Sequence, residues 1–113
     1  MAICEGLGDN LEFSVENAGD EVTITLNSSN TSANDTATQK YADSAVRAIK
    51  YHLRNSQAIE ILEYNGTALT DPISIPKNKG HKEEFGIPIL ISIKIRVSTA
   101  NTNIKLRYVG SQL

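Results

Sequence analysis

The side chains able to do acid–base or metal chemistry are few in this sequence. Two histidines occur, His52 and His81, and the single cysteine is Cys4. The one local group of ligand types is His81-Lys-Glu-Glu84, an imidazole with two carboxylates. Neighbouring lysines would repel a divalent cation, and no helical His-Glu-x-x-His frame surrounds the group. We therefore expect a charged loop over residues 77–84, without a metal or a cofactor.

Catalysis needs a nucleophile or a proton-transfer group whose neighbours adjust its pKa. Cys4 is followed by Glu5, a neighbour that would not favour the thiolate. His52 lies between Tyr51 and Leu53, which is typical of a partly buried structural histidine. The local sequence distinguishes no pair among the thirteen acidic residues, so we predict a protein that is not an enzyme.

Four cations near the C-terminus have the most suggestive spacing. Lys94 and Arg96 alternate with apolar residues in Ile91-Ser-Ile-Lys-Ile-Arg-Val97, and Lys105 and Arg107 do so in Ile104-Lys-Leu-Arg-Tyr108. Alternation with a polar loop between the two runs predicts a β-hairpin with one apolar and one basic face. The four cations would then form a compact positive patch, a surface that can attract phosphate or an acidic protein.

Acidic residues concentrate at the other end of the chain. Residues 1–35 hold seven acids and no Lys or Arg, whereas residues 36–113 hold eleven bases and six acids. The acidic residues that could face a partner are Glu12, Glu16, Asp20 and Glu21. Opposite charges could neutralise each other within one chain, or the basic hairpin of one copy could dock on the acidic hairpin of the next. Contacts of the second kind generate rings or lattices.

Nucleic acid is the less favoured partner at this level. The sequence pI is near 5.6, which opposes nonspecific binding of polyanions. Tyr108 lies in phase with the apolar residues of its run, so the basic face would lack the aromatic rings on which bases stack.

Two hairpins are predicted upstream of the basic one. Leu11–Val15 and Val22–Leu26 alternate apolar and polar residues around a turn at 17–20, which predicts the first hairpin. Residues 57–64 form the next strand, and Asn65-Gly66 is a strong signal for a two-residue turn into a returning strand.

Prolines and a polar tract limit the remaining elements. Pro72 and Pro76 flank residues 73–75, which can therefore form only a short strand or an edge strand. Residues 27–35 are rich in Asn and Ser and predict a surface connector.

Residues 36–54 are ambiguous between helix and strand. Apolar residues recur at helical spacing and Asp35 or Thr36 could cap a helix, so helix is the first prediction. Large side chains at every second position from Val46 to Leu53 keep a strand as the alternative.

These elements together predict a mainly β fold in one domain over residues 1–113. We expect an antiparallel β-sandwich of about six to eight short strands, possibly with one helix at 36–54. The alternative is an α+β fold with one helix on an antiparallel sheet. The sequence contains neither a signal peptide nor a long apolar segment, which predicts a soluble cytoplasmic product without membrane contact.

In style, the chain resembles small virion proteins of tailed bacteriophages. The features that carry the resemblance are the Asn/Ser/Thr-rich loops, the Leu11–Val15 and Val22–Leu26 pair, and the closing Ile-Lys-Ile-Arg-Val and Ile-Lys-Leu-Arg-Tyr strands. The resemblance implies a non-enzymatic capsid decoration, tail or neck component. Such a protein would be made in the host cytoplasm and bind itself or other virion proteins in multiple copies. A small module that binds nucleic acid or carbohydrate is the alternative.

Overall fold

The computed structural model describes residues 10–26, 32–42 and 46–112. Within these ranges the chain forms nine β-strands and one short 3-10 turn at Ser32–Asn34. The strands are β1 (Asn10–Val15), β2 (Glu21–Thr25), β3 (Gln39–Tyr41), β4 (Val46–Asn55), β5 (Ile59–Tyr64), β6 (Thr67–Ile75), β7 (His81–Glu84), β8 (Ser92–Val97) and β9 (Thr102–Gln112).

The nine strands form two sheets packed as a β-sandwich. The four-stranded sheet has the order β1-β9-β4-β7, and the five-stranded sheet has the order β3-β2-β8-β5-β6. Neighbours are antiparallel except β2 and β3, which are parallel. The predicted β-sandwich is confirmed, with one strand more than the upper end of the expected number in the described residues. None of those residues belongs to a helix long and apolar enough to cross a membrane.

The pairing follows the scheme of a rolled-up hairpin. Apart from the short edge strand β3, the first strand pairs with the last, β1 with β9, and the next pairs are β2 with β8, β4 with β7 and β5 with β6. Two four-stranded sheets connected in this way constitute a jelly roll.

The core lies between the sheets and is built from alternate residues of each strand. Val22 and Ile24 of β2 face Ile93 and Ile95 of β8 across the strand pair, and all four side chains are fully buried. On the other sheet, Leu106 of β9 lies between its neighbours from β1 and β4. The predicted inward residues of these strands are therefore confirmed, including Tyr108, which is 3% exposed.

Two of the three predicted hairpins are wrong. The segments β1 and β2 do not pair with each other, and neither do β8 and β9, because each pair is divided between the two sheets. Alternation specifies which side of a strand is buried but not which strand lies beside it. In each case the connecting loop crosses the roughly 10 Å between packed sheets, and so joins the sheets as an arch.

The predicted helix over 36–54 is wrong in the described part of that range. Residues 39–41 form β3, and the alternative strand reading of Val46 to Leu53 is confirmed by β4. The register of β4 shifts between Ala48 and Lys50. This bulge places the buried residues Ala48 and Tyr51 three apart, which imitates the spacing of a helix face.

The Asn65-Gly66 hairpin is confirmed, and so is the edge position of the strand that contains Pro72. Asn65 and Gly66 have φ of 53° and 78° and join β5 to β6, as a tight two-residue turn requires. The predicted loop at 77–84 is wrong in its second half, since residues 81–84 form β7 and pair with β4.

Candidate functional site

Lys94 and Arg96 lie on the outer face of the five-stranded sheet, in its central strand. The Lys94 Nζ atom is 3.3 Å from a Glu21 carboxylate oxygen and 3.7 Å from one of Glu63. Two guanidinium nitrogens of Arg96 donate to the Glu60 carboxylate at 2.5 and 3.1 Å. These bonds raise the pKa of both cations, chiefly through Glu21 for Lys94 and Glu60 for Arg96. Carboxylates of neighbouring strands thus neutralise this half of the predicted patch.

Lys105 and Arg107 lie on the outer face of the other sheet. Because β8 and β9 belong to different sheets, these two cations and the Lys94–Arg96 pair face opposite sides of the sandwich. The predicted compact patch of four cations is therefore wrong. The prediction required β8 and β9 to form one hairpin, whereas an arch connects them across the two sheets.

The acidic candidates are likewise divided. Glu12 lies opposite Lys105 with a carboxylate oxygen 3.8 Å from its Nζ atom, whereas Glu21 pairs with the cations of β8. Glu16 and Asp20 lie in the loop between the sheets. Glu12 and Glu21 thus contact cations of their own chain, as the alternative of neutralisation within one chain predicted.

A different group of cations does converge, on the outer face of β9, β4 and β7. Strand register places Arg107 and Lys82 on either side of His52, while Lys105 is opposite Arg54 in the next row. We name this surface the basic face and define it by Lys50, His52, Arg54, Lys82, Lys105 and Arg107. Five of these six are cations. The carboxylates on the same surface, Glu12 and Glu84, lie at its margins.

The margins of the basic face carry long, exposed ion pairs. Glu84 is 4.0 Å from Lys50 and Glu12 is 3.8 Å from Lys105. Contacts of this length at the surface are weak. The two carboxylates therefore offset the cations of the basic face only weakly.

His52 lies between two shallow depressions of the basic face. One, of about 330 Å³, includes Lys50, Lys82 and Arg107 in its lining, and the other, of about 470 Å³, includes Arg54 and Lys105. Desolvation lowers the pKa of His52, and the charges of Lys82, Arg54 and Arg107 lower it further. The surrounding cations thus favour the neutral form of this imidazole, whereas a bound anion would favour its protonated form.

A second cluster of polar groups points inward at the edge of the sandwich. The Tyr51 and Tyr64 hydroxyls are 2.5 Å apart, and His81 Nε2 is 3.0 Å from a Glu83 carboxylate oxygen. Phe85 packs on both tyrosine rings, with centroid distances of 6.3 and 5.5 Å. Burial raises the pKa of both tyrosines. These contacts connect β4, β5 and β7 at the open edge of the sandwich. We therefore interpret the cluster as structural.

The described residues do not bring three His, Cys, Asp or Glu side chains together to hold a metal ion. Cys4 lies outside the described residues.

Four members of the basic face were not predicted from the sequence: Lys50, His52, Arg54 and Lys82. Alternation in the strand reading of β4 was the available signal, because it places Lys50, His52 and Arg54 on one side. No comparable signal existed for Lys82, whose position depends on the pairing of β7 with β4.

Comparisons with protein-family models, curated proteins and solved structures gave no match to this chain. Geometry and strand order are therefore what indicate a function.

Proposed function

We propose that this protein is a non-enzymatic structural or assembly component of a phage particle, acting by protein–protein contacts in multiple copies. The observation that carries the proposal is the jelly-roll strand order, since viral capsid domains are built on this architecture. The likeness is one of fold, and a fold hosts many functions. A contact surface on the molecule itself supports the role further.

That surface is the apolar tip formed by Ile87, Pro88 and Ile89 between β7 and β8. Ile87 is 59% exposed and Ile89 is 43% exposed, the exposed large hydrophobic side chains of the described residues. Exposed apolar groups that lie together favour contact with another protein.

The apolar tip is held in place by the turn between β5 and β6. The Asn65 side chain donates to Ile89 O at 2.9 Å and accepts from the Ile91 and Ser92 amides at 2.7 and 3.1 Å. A loop fixed in this way loses little conformational entropy on binding. The tip is thus a preorganised contact.

Strand addition is a less suitable mode of contact at the β6 edge. Pro72 lacks an amide hydrogen, and the adjacent Asp71 is exposed. Both features oppose pairing with another strand. Docking through the apolar tip allows contact with another protein without any strand pairing at the sheet edge.

The test is sedimentation of the purified protein over a wide concentration range, with and without phage particles from the same source. We expect the wild type to self-associate or to sediment with particles, and Ile87→Glu with Ile89→Glu to prevent this by burying charge in the contact. Ser98→Glu with Ala100→Glu is the matched control, because both positions are exposed in another loop. A wild type that stays monomeric and never sediments with particles would contradict the proposal.

A further inference from the structure

We propose that the basic face of the four-stranded sheet binds the phosphate backbone of nucleic acid without base specificity. This role goes beyond assembly through the apolar tip and does not depend on it. The two surfaces consist of different residues, so each can be tested by itself.

The first support is the segregation of charge between the two outer faces. On the five-stranded sheet, Lys94 and Arg96 are flanked by Glu21, Glu60 and Glu63 at distances of 2.5 to 3.8 Å. On the basic face, five cations stand against two marginal carboxylates. Although the overall pI is low, five cations and only two carboxylates make this one surface positively charged. The local charge of a surface, rather than the net charge of the protein, governs attraction of a polyanion.

The spacing of the cations suits a chain of phosphates. Neighbouring strands lie about 4.8 Å apart, so Arg107 and Lys82 stand about 10 Å apart with His52 between them. Along the strands, the next row with Arg54 and Lys105 follows after about 6.8 Å. Arginine can bind a phosphate with two parallel hydrogen bonds.

Nucleic acid fits this surface better than another protein does. A protein interface has an apolar centre, but the exposed large hydrophobic side chains of the described residues, Ile87 and Ile89, belong to the apolar tip. A second copy offers a poor complement, because the carboxylates of its five-stranded sheet already pair with Lys94 and Arg96.

Recognition is confined to the backbone by the direction of the aromatic rings. Phe13, Tyr51 and Tyr108 of the four-stranded sheet pack toward the core, so they provide no platform for stacked bases. Binding through phosphates alone depends strongly on salt and little on sequence.

Proton uptake by His52 on binding would distinguish this site from nonspecific electrostatic attraction. The groups around it are Lys50 and Arg54 on its own strand, Arg107 and Lys105 on β9, Lys82 and Glu84 on β7, and Glu12 on β1. A bound phosphate offsets the cations that lower the pKa of this imidazole and therefore raises it. By linkage, binding takes up a proton, and affinity rises as the pH falls from above the bound-state pKa of His52 to below its free-state pKa.

The experiment measures fluorescence anisotropy of a labelled mixed-sequence oligonucleotide, single-stranded and as a duplex, at several salt concentrations. We expect binding at low salt, with Arg54→Gln plus Arg107→Gln weakening it about tenfold or more and reducing the log–log salt slope by about two. Lys94→Gln plus Arg96→Gln is the matched control, because it removes two cations from the opposite face and leaves affinity nearly unchanged. Equal losses in both pairs, or no wild-type binding at low salt, would overturn the proposal.

The alternative occupants are tested with the same samples. Competition by polyglutamate as effective as that by the oligonucleotide would assign the face to an acidic protein and overturn the proposal. Low-salt self-association that disappears with Arg54→Gln plus Arg107→Gln, without nucleic-acid binding, would assign it to a second copy and overturn it too. Lys82→Gln on the edge strand β7 replaces the double variant if that variant fails to fold.

The proton-linked signature is measured by NMR titration of the two histidines with and without oligonucleotide. We expect the pKa of His52 to rise on binding, and His52→Gln to abolish the pH dependence of affinity. His81→Gln is the matched control, because His81 points into the sandwich beside Glu83 and its removal leaves that dependence intact. A His52 pKa that does not rise on binding would contradict the role of the basic face.

Discussion

At the scale of single residues, Asn55 shows how a polar side chain in the core positions a surface. It is 4% exposed at the end of β4. Its side-chain nitrogen donates to Gln57 O at 2.8 Å and Pro76 O at 3.0 Å, and its oxygen accepts from the Gly80 amide at 3.0 Å. The side chain therefore fixes the turn between β6 and β7, which brings Lys82 beside His52.

We expect Asn55→Ala to lower the free energy of unfolding by about 2–3 kcal/mol, because it leaves buried backbone groups without partners. Urea unfolding measures this loss. Asn17→Ala, at an exposed loop position, is the control and should change stability by less than about 0.5 kcal/mol. Similar midpoints for the two variants would show that the hydrogen bonds of Asn55 contribute little.

At the scale of elements, the connections decide which charges meet. Alternation places Arg96 and Lys105 correctly on outward positions of β8 and β9. A hairpin would set these two residues side by side, whereas the observed arch places them on opposite surfaces of the sandwich. Lys105 instead lies directly opposite Glu12.

Disulfide formation distinguishes the arch from the hairpin. In a Cys4→Ser background, we expect Glu12→Cys with Lys105→Cys to crosslink, because directly opposed residues have Cβ atoms about 4.5–5.5 Å apart. Arg96→Cys with Lys105→Cys should stay reduced within the monomer, since two sheets lie between the thiols. Free-thiol counting and intact mass measure both results, and the reverse pattern would restore the predicted hairpin.

At the scale of the whole molecule, the jelly roll is assembled almost entirely from distant segments. Among the described antiparallel pairs, β5 and β6 are the neighbours joined by a tight turn, while β1 pairs with β9 and β2 with β8. Long-range pairing requires closure of large loops before contacts form, which slows folding. The β5–β6 hairpin is the natural local starting point.

Stopped-flow refolding should accordingly take milliseconds to seconds, with the β5–β6 turn formed early. We expect Gly66→Ala, at φ 78°, to slow folding, because alanine is strained in that conformation. Gly19→Ala is the matched control, with φ 86° and equally open surroundings, and should mainly accelerate unfolding. If both variants change only the unfolding rate, the hairpin does not belong to the folding nucleus.

The buried side of most strands, the Asn65-Gly66 turn and the β-sandwich class could be predicted from the sequence, because period-two alternation and turn chemistry are local properties. Which strands are neighbours depends on long-range contacts and could not be predicted in this way, since alternation is identical in a hairpin and an arch. The bulge at Ala48 produces an apolar spacing in β4 that also fits a helix, so the local pattern favoured the wrong element. The basic face therefore emerged only with the register of β9, β4 and β7, which joins His52 and Lys82 to cations that the sequence had assigned to another patch.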